Sequence, residues 1–250
     1  LKAQAVAESG LQLEHAAPVQ ELPHFEEGWA SVQDSAAQAA APLLLNGMAL
    51  PKGRPLRVLD ACAAPGGKTA HLLEHAAPGS IEVTALEIDP ERALRIGETL
   101  ARLGLQAKVV VADASKPQDW FESQCGGLPF DAILLDAPCT ASGIVRRQPD
   151  VRWLRRESDV AQLATIQSKL LDTLWSLLQP GGRMVYCTCS VFKSEGDVQI
   201  QAFLMRNTTV TSLPAPGHLL PGNSAKDGSV SDNPLGDHDG FFYALLEKSR

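Results

Sequence analysis

From residue 56 onward, short aliphatic and β-branched runs alternate with longer stretches whose apolar positions recur every three or four residues. That alternation is the pattern of a parallel sheet covered by helices on both faces. Strands are predicted at Leu56 to Asp60, Ile81 to Leu86, Lys108 to Ala112, Ala132 to Leu135, Arg183 to Cys187 and Phe241 to Leu246. Helices are predicted at Gly67 to His75, Asp89 to Leu103, Glu157 to Leu178 and Ser194 to Met205. Asp89-Pro90-Glu91 is a well-marked helix start, with a capping carboxylate, a proline at the first helical position and an acid in the first turn. Gly104 stops that helix, and Pro180-Gly181-Gly182 is expected to close the long one. Residues 1 to 33 show no sustained period and predict short strands and turns, followed by a helix capped by Asp34 or Ser35 and running to Leu45. Leu213 to Gly240, rich in Pro, Gly, Asp and Ser, predicts a loop.

Composition narrows the picture only by exclusion. With 44% hydrophobic and 20% charged residues in 250, the chain is neither disordered nor fibrous. Its most apolar stretch, Ala36 to Leu50, is broken by Gln38, Pro42 and Asn46, so no membrane span is predicted. The start carries neither a signal pattern nor an initiator Met, which reads as a fragment of a cytoplasmic protein, expected to be monomeric and to lack an upstream part. A net charge of −7 argues against a general nucleic-acid coat but leaves room for a local basic patch. The cysteines at 62, 125, 139, 187 and 189 are odd in number, and Cys187-Thr188-Cys189 is a pair without a second, so free thiols and no metal are expected.

Ligands of open parallel sheets sit at the carboxyl ends of the strands. Acids close the first four strands there: Asp60, Glu87, Asp113 and Asp136. Any one of them could be a turn or cap residue; four in one register point to a site. Glu87, ending the second strand, stands where dinucleotide folds hold ribose hydroxyls. Between the first strand and its helix, Cys62-Ala63-Ala64-Pro65-Gly66-Gly67-Lys68-Thr69 lets backbone N–H groups approach a ligand. The Gly67-Lys68-Thr69 ending and the later Ala132-Ile133-Leu134-Leu135-Asp136 resemble the Walker A and B motifs of a P-loop NTPase. The first P-loop glycine would fall at Cys62, however, and Pro65 stiffens a loop that has to wrap phosphate. A ligand with ribose and adenine but no triphosphate fits better.

Asp60-Ala61-Cys62-Ala63-Ala64-Pro65-Gly66-Gly67-Lys68-Thr69, Asp136-Ala137-Pro138-Cys139 and Thr188-Cys189-Ser190 together resemble the S-adenosylmethionine-dependent RNA methyltransferases that make 5-methylcytosine. The likeness runs from about Phe25, through Gly28-Trp29, to Asp239-Gly240-Phe241-Phe242-Tyr243. The flank Gly143 to Trp153 resembles the bacterial RsmB branch, whose substrate is small-subunit ribosomal RNA. The resemblance implies an α/β fold of the Rossmann-like class I methyltransferases. This is a doubly wound, mostly parallel seven-stranded sheet with an antiparallel last strand, over residues 48–250. Residues 1–47 would form an accessory segment packed on it. It also implies an upstream helical RNA-binding domain similar to the antitermination factor NusB.

Cytosine carbon 5 is a poor nucleophile, so a thiolate must add to carbon 6 before the methyl group can be taken. The resemblance implies Cys189 as that nucleophile and Cys139 as the group assisting product release. It implies S-adenosylmethionine, leaving as S-adenosylhomocysteine, against the loop Cys62, Ala63, Ala64, Pro65, Gly66, Gly67 and Lys68, with Glu87 at the ribose and Asp113 near adenine. Where the branch carries Asp at the ribose position this chain has Glu87, one methylene longer. Asp136 would lie beside both cofactor and base, and Lys68 would aid positioning or the charge of the site. Cys62, Cys125 and Cys187 read as core thiols.

Arg146, Arg147, Arg152, Arg155 and Arg156 form the densest basic stretch, and Trp153 stands among them. Phosphate contacts with a stacking aromatic suit an unpaired or flipped base; the alternative is a solvated helix face. A scaffold that keeps the fold and binds RNA without turnover is the non-enzymatic reading.

Overall fold

The computed structural model describes residues 1–6, 10–221 and 238–250. Ala3–Val6 (β1) and Gly10–Leu13 (β2) pair as an antiparallel hairpin, and a 3-10 turn follows at Val19–Glu21. The main sheet is built from Leu56–Ala61 (β3), Ile81–Glu87 (β4), Lys108–Val111 (β5), Phe130–Asp136 (β6), Leu178–Thr188 (β7), Val210–Leu219 (β8) and Phe241–Lys248 (β9). Its order is β5-β4-β3-β6-β7-β9-β8, with β3 to β7 parallel and β9 antiparallel to both of its neighbours. A seven-stranded sheet with a reversed last strand is what the resemblance implied, and six of the strands lie where the apolar runs predicted them.

The central strands are buried on both faces, which explains why β3 and β6 read as continuous apolar runs rather than alternating ones. Leu59, Ala61, Ile133, Leu135, Met184 and Tyr186 point to one face. There they meet Glu157–Ser176 (α6) and Asp197–Arg206 (α7) through Leu171, Leu174, Trp175 and Phe203. Val58, Ala132, Leu134 and Val185 point to the other, under Ala40–Leu45 (α1) and Gly67–His75 (α2). Pro90–Leu103 (α3) packs beside α2 through Ile96 and Leu100. The α3 ends are as expected: Asp89 Oδ1 accepts from the N–H groups of Glu91 and Arg92 at 2.8 and 3.1 Å, and Gly104 closes it at φ 66. Two short helices, Phe121–Cys125 (α4) and Val151–Leu154 (α5), carry no period long enough to see in sequence. Among the described residues no helix is long and apolar enough to cross a membrane.

Three expectations are corrected. Pro180-Gly181-Gly182 does not close α6, which ends at Ser176; it lies inside β7, where the register to β6 shifts and Gly181 takes φ 77. Proline there is tolerated because the ladder is already irregular. Leu213 to Leu219 is strand rather than loop; Pro214 and Pro216 hid it. β8 sits at the sheet edge, and its pairing skips from Leu213 to Gly217, so the missing N–H groups cost little. Residues 222–237 of the same expected loop lie outside the described residues. The helix expected from Asp34 begins as a turn, with the Asp34 carboxylate accepting the Ala36 N–H at 2.9 Å and α-helix only from Ala40. Pro42, lacking an N–H, fits in that first helical turn.

Ala36, Ala40 and Ala41 are small enough to bring α1 against β6, β7 and β9, with Leu44 fully buried as the largest contact. Leu44→Ala is expected to cost about 2–5 kcal/mol, because the rigid sheet cannot collapse into the cavity. A urea midpoint unchanged from the parent would contradict this account of how the N-terminal segment is held.

Candidate active site

In this strand order the chain reverses direction of travel between β3 and β6, and a crevice opens there beyond the carboxyl ends. The loop after β3 and the residues ending β6 and β7 therefore meet. In-register pairing sets Asp136 beside Cys187, and Cys189 follows two residues later. A recess of about 920 Å³ lies instead at the opposite ends of the strands, lined among others by Arg57, Glu82, Lys108 and Phe130. Its walls hold none of the strand-end acids.

The loop from Cys62 to Gly67 is shaped by two left-handed residues, Cys62 at φ 63 and Gly66 at φ 98. A Cβ at Gly66 would lie 3.1 Å from Ile96 Cα, so glycine lets α2 start close against α3. Ala63 N–H donates to Leu86 O at 2.9 Å and Ala64 N–H to Glu87 Oε2 at 3.3 Å, tying the loop to the end of β4. Glu87 is buried; its Oε1 accepts from Asp89 N–H at 3.1 Å and lies 3.5 Å from Arg92 Nη1. Ile88, next along and 62% exposed, is an apolar residue left in the open at the mouth of the site. Asp113 accepts from Ser115 N–H at 2.9 Å and faces Lys116 at 3.6 Å. Burial is outweighed by these contacts, and its carboxyl is held below the usual range.

Lys68 reaches from the first turn of α2 to Asp136, with Nζ to Oδ2 at 2.8 Å, and its ammonium lies 5.5 Å from the Phe241 ring centre. Burial opposes the charge on Lys68, but the Asp136 carboxylate and the nearby thiols outweigh it and hold the ammonium above its ordinary value. On the other side of Asp136, the Cys187 thiol lies 3.6 Å from Oδ1. Cys187 is fully buried, and burial pushes its thiol well up; burial likewise pushes Cys62 up to about 12. Both are core thiols by these criteria.

Cys139 and Cys189 differ. Their sulfurs are 3.4 Å apart, and the hydrogen bond between them raises Cys139 well above its ordinary value while lowering Cys189. Desolvation opposes the lowering at Cys189, and Lys68 favours it. The contact thus favours the thiolate on Cys189 over that on Cys139. Gly143 N–H donates to Cys189 O at 2.9 Å, and Gly240 N–H to Gly143 O at 2.9 Å. A Cβ on Gly143 would fall 2.0 Å from Gly240 O, so the loop after β6 and the entry to β9 touch backbone to backbone.

The arginines separate. Arg146 and Arg147 both face the buried Asp239, whose own N–H donates to Asp34 Oδ2 at 3.1 Å. Arg155 Nε donates to Thr140 O at 2.8 Å, and Arg156 caps α6. Arg152 lies 4.9 Å over the ring of Trp153, which is 75% exposed. Sequence reasoning missed Asp239 as the arginines' partner, and it missed Glu195. That glutamate lies in a polar turn, Lys193–Glu195, that reads as surface yet is fully buried. Among the described residues no group of three or more His, Cys, Asp or Glu side chains is arranged to hold a metal ion.

The family model described as 16S rRNA methyltransferase RsmB/F matches residues 48–247. The chain belongs to the RsmB/F family. It is 47% identical over 249 residues to the ribosomal RNA small subunit methyltransferase B of Vibrio cholerae serotype O1, covering 98% of this chain and 52% of that protein. To the protein of the same name from Citrobacter koseri it is 48% identical over 246 residues, covering 95% and 51%. The chain spans about half the length of these curated relatives. The solved structure of NSun6 from Pyrococcus horikoshii with SFG superposes at a TM-score of 0.75 and 26% identity, covering 98% of this chain and 61% of that one. The RsmB/F fold described above is thus a Rossmann-like methyltransferase fold.

At the base of the site, Thr69 Oγ1 donates to Asp60 Oδ2 at 2.5 Å, while Asp60 Oδ1 has no partner among the described residues. Burial raises Asp60 from 3.8 to about 7, the Thr69 hydrogen bond only partly opposing it and Asp136 adding to it. The folded chain therefore holds a proton that the unfolded chain loses near pH 3.8. The stability this gives is full below that pH and is lost as pH rises to about 7. Asp60→Asn is expected to remove up to about 4 kcal/mol of this acid-side slope in urea unfolding between pH 4 and 8. Parallel slopes for parent and variant would show that Asp60 is not protonated.

Proposed function

We propose that this chain transfers a methyl group from S-adenosylmethionine to carbon 5 of a cytosine in small-subunit ribosomal RNA, through a covalent adduct of Cys189 at carbon 6. The observation that carries the reading is the thiol pair, Cys139 hydrogen-bonded to Cys189 at 3.4 Å beside the Lys68–Asp136 ion pair. The family, and relatives named as small-subunit ribosomal RNA methyltransferases, support the substrate.

The residues present fit the cofactor. The loop 62–67 offers only small side chains to its methionine part, Glu87 offers acceptor oxygens for a diol, and exposed Ile88 offers an apolar face to adenine. A Glu at position 87 keeps that acceptor pair despite its extra methylene. S-adenosylmethionine supplies an electrophilic methyl on a sulfonium. The relative from Pyrococcus horikoshii was solved with SFG, an analogue of that cofactor, which favours the same assignment.

The chain's own residues do the rest. Cys189, lowered by its hydrogen bond from Cys139, adds to carbon 6 and turns carbon 5 into a nucleophile. Asp136 aligns the base edge near ring nitrogen 3, and the Lys68 ammonium offsets the negative charge brought by the thiolate. After transfer, the carbon-5 proton passes to water, its electron pair re-forms the ring double bond, and the Cys189–carbon-6 bond breaks, the Cys139 thiol assisting release by hydrogen-bonding the departing sulfur. Residues 48–250 form the catalytic unit and 1–47 an accessory segment packed on it. RNA is met by Trp153 and Arg152, with Arg156 nearby; Arg146, Arg147 and Arg155 divide their contacts between RNA and the protein.

In the full-length protein, Cys189→Ala is expected to abolish label transfer from S-adenosylmethionine to deproteinised small-subunit RNA. Cys139→Ala is expected to accumulate an RNA–protein adduct that survives denaturation. Turnover by the Cys189 variant, or label away from cytosine carbon 5, overturns the reading. Trp153→Ala is expected to weaken RNA binding by about 1–3 kcal/mol without changing cofactor affinity, checked by titration of each ligand.

A further inference from the structure

Glu195 is a buried carboxylate that the reaction outlined above does not use. Its donors among the described residues are all neutral. Thr140 N–H donates to Oε1 at 2.9 Å and Thr140 Oγ1 to Oε2 at 2.5 Å. Gln167 Nε2 donates to Oε1 at 3.1 Å, and Ser190 Oγ to Oε2 at 2.6 Å. Burying a carboxylate is costly unless its lone pairs are filled, and here four donors fill them. Two of the three residues that supply them are the ones that follow the thiols: Thr140 after Cys139, Ser190 after Cys189. The third, Gln167 of α6, also donates to Pro138 O at 2.9 Å, on the other side of Cys139. One side chain thus braces both cysteine-bearing loops from behind. Its own carbonyl accepts the Tyr186 and Thr188 hydroxyls at 2.8 and 3.3 Å, fixing the turn to β7.

A glutamine could satisfy much of this geometry, so the charge needs its own reason. The carboxylate lies beside Cys139, and its field opposes ionisation of that sulfur. Lys68 acts at the other end of the pair, favouring the thiolate of Cys189, while Asp136 opposes it. Tyr186 of β7 faces Cys139 and Tyr243 of β9 faces Cys189, both buried with their protons held. An anion behind one thiol and a cation before the other would give the pair a direction.

We propose that Glu195 is a positioning residue for the thiol pair. Its carboxylate holds the Cys139 and Cys189 loops at hydrogen-bond distance, and its charge keeps the shared proton on Cys139, so that Cys189 is the sulfur that attacks. The catalytic consequence rests on the function proposed above; the ordering of the two thiols does not.

The test reads both. In the full-length protein, initial rates of iodoacetamide alkylation at each cysteine, followed by mass spectrometry across pH, are expected to show Cys189 reacting at lower pH than Cys139. In Glu195→Gln the two profiles are expected to draw closer together, with kcat for methyl transfer about tenfold to a hundredfold lower and KM for cofactor and RNA within about twofold. Glu195→Asp, which keeps the charge but shortens the brace, is expected to retain the order of the thiols while losing part of kcat. Ser190→Ala, removing one donor and no charge, is expected to do the same, and serves if Glu195→Gln does not fold. Unchanged thiol profiles in Glu195→Gln, or parental kcat in both Glu195→Asp and Ser190→Ala, overturn the proposal. Converging profiles in a protein that methylates no cytosine would leave the brace standing and remove the proposed reaction.

Discussion

A largely buried lysine at the ends of the central strands needs an anion, and the single bond from Lys68 to Asp136 at 2.8 Å is the constraint around which the site is arranged. It joins the loop after β3 to the end of β6, the two strands between which the sheet changes direction. Because Asp136 is paired in register with Cys187, the same bond fixes where β7 ends and hence where Cys189 emerges. Removing either partner would leave an uncompensated charge in the crevice, a cost of several kcal/mol that the surrounding apolar packing could not absorb.

Around this bond, their surroundings sort four thiols into two kinds. At Cys62 and Cys187 burial, with the nearby carboxylates adding to it, outweighs the opposing cations Arg92 and Lys68, and their protons are held tightly. Cys139 and Cys189 are only partly buried, and one sulfur lowers the other because each is the other's hydrogen-bond partner. Reactivity here is therefore a property of a pair, set by which side of it each fixed charge occupies, rather than of exposure. Spacing along the chain could not have distinguished Cys139 from Cys189.

The sequence was most legible where one local rule decides the outcome. The apolar runs of β3, β4 and β6 and the Asp89 and Gly104 ends of α3 required no tertiary information. Legibility failed where the partner is distant in sequence. Pro180 and Gly181 look like a helix stop until β6 is seen to accept an irregular register, and Pro214 and Pro216 look like loop until β8 is seen to be an edge. Arg146 and Arg147 read as free charge because Asp239, more than ninety residues away, is what they face. Glu195 reads as solvent-facing because its donors come from three other segments.

The position of β9 has a consequence for synthesis. This last segment does not extend the sheet at an edge but slots between β7 and β8, pairing with both. Until Phe241–Lys248 has left the ribosome, β7, whose end leads into Cys189, is an open edge, and β8 lacks the strand it pairs with in the sheet. A chain emerging from its N-terminal end can thus assemble β3 to β7 early, while that edge stays unpaired and prone to wrong pairings until β9 follows.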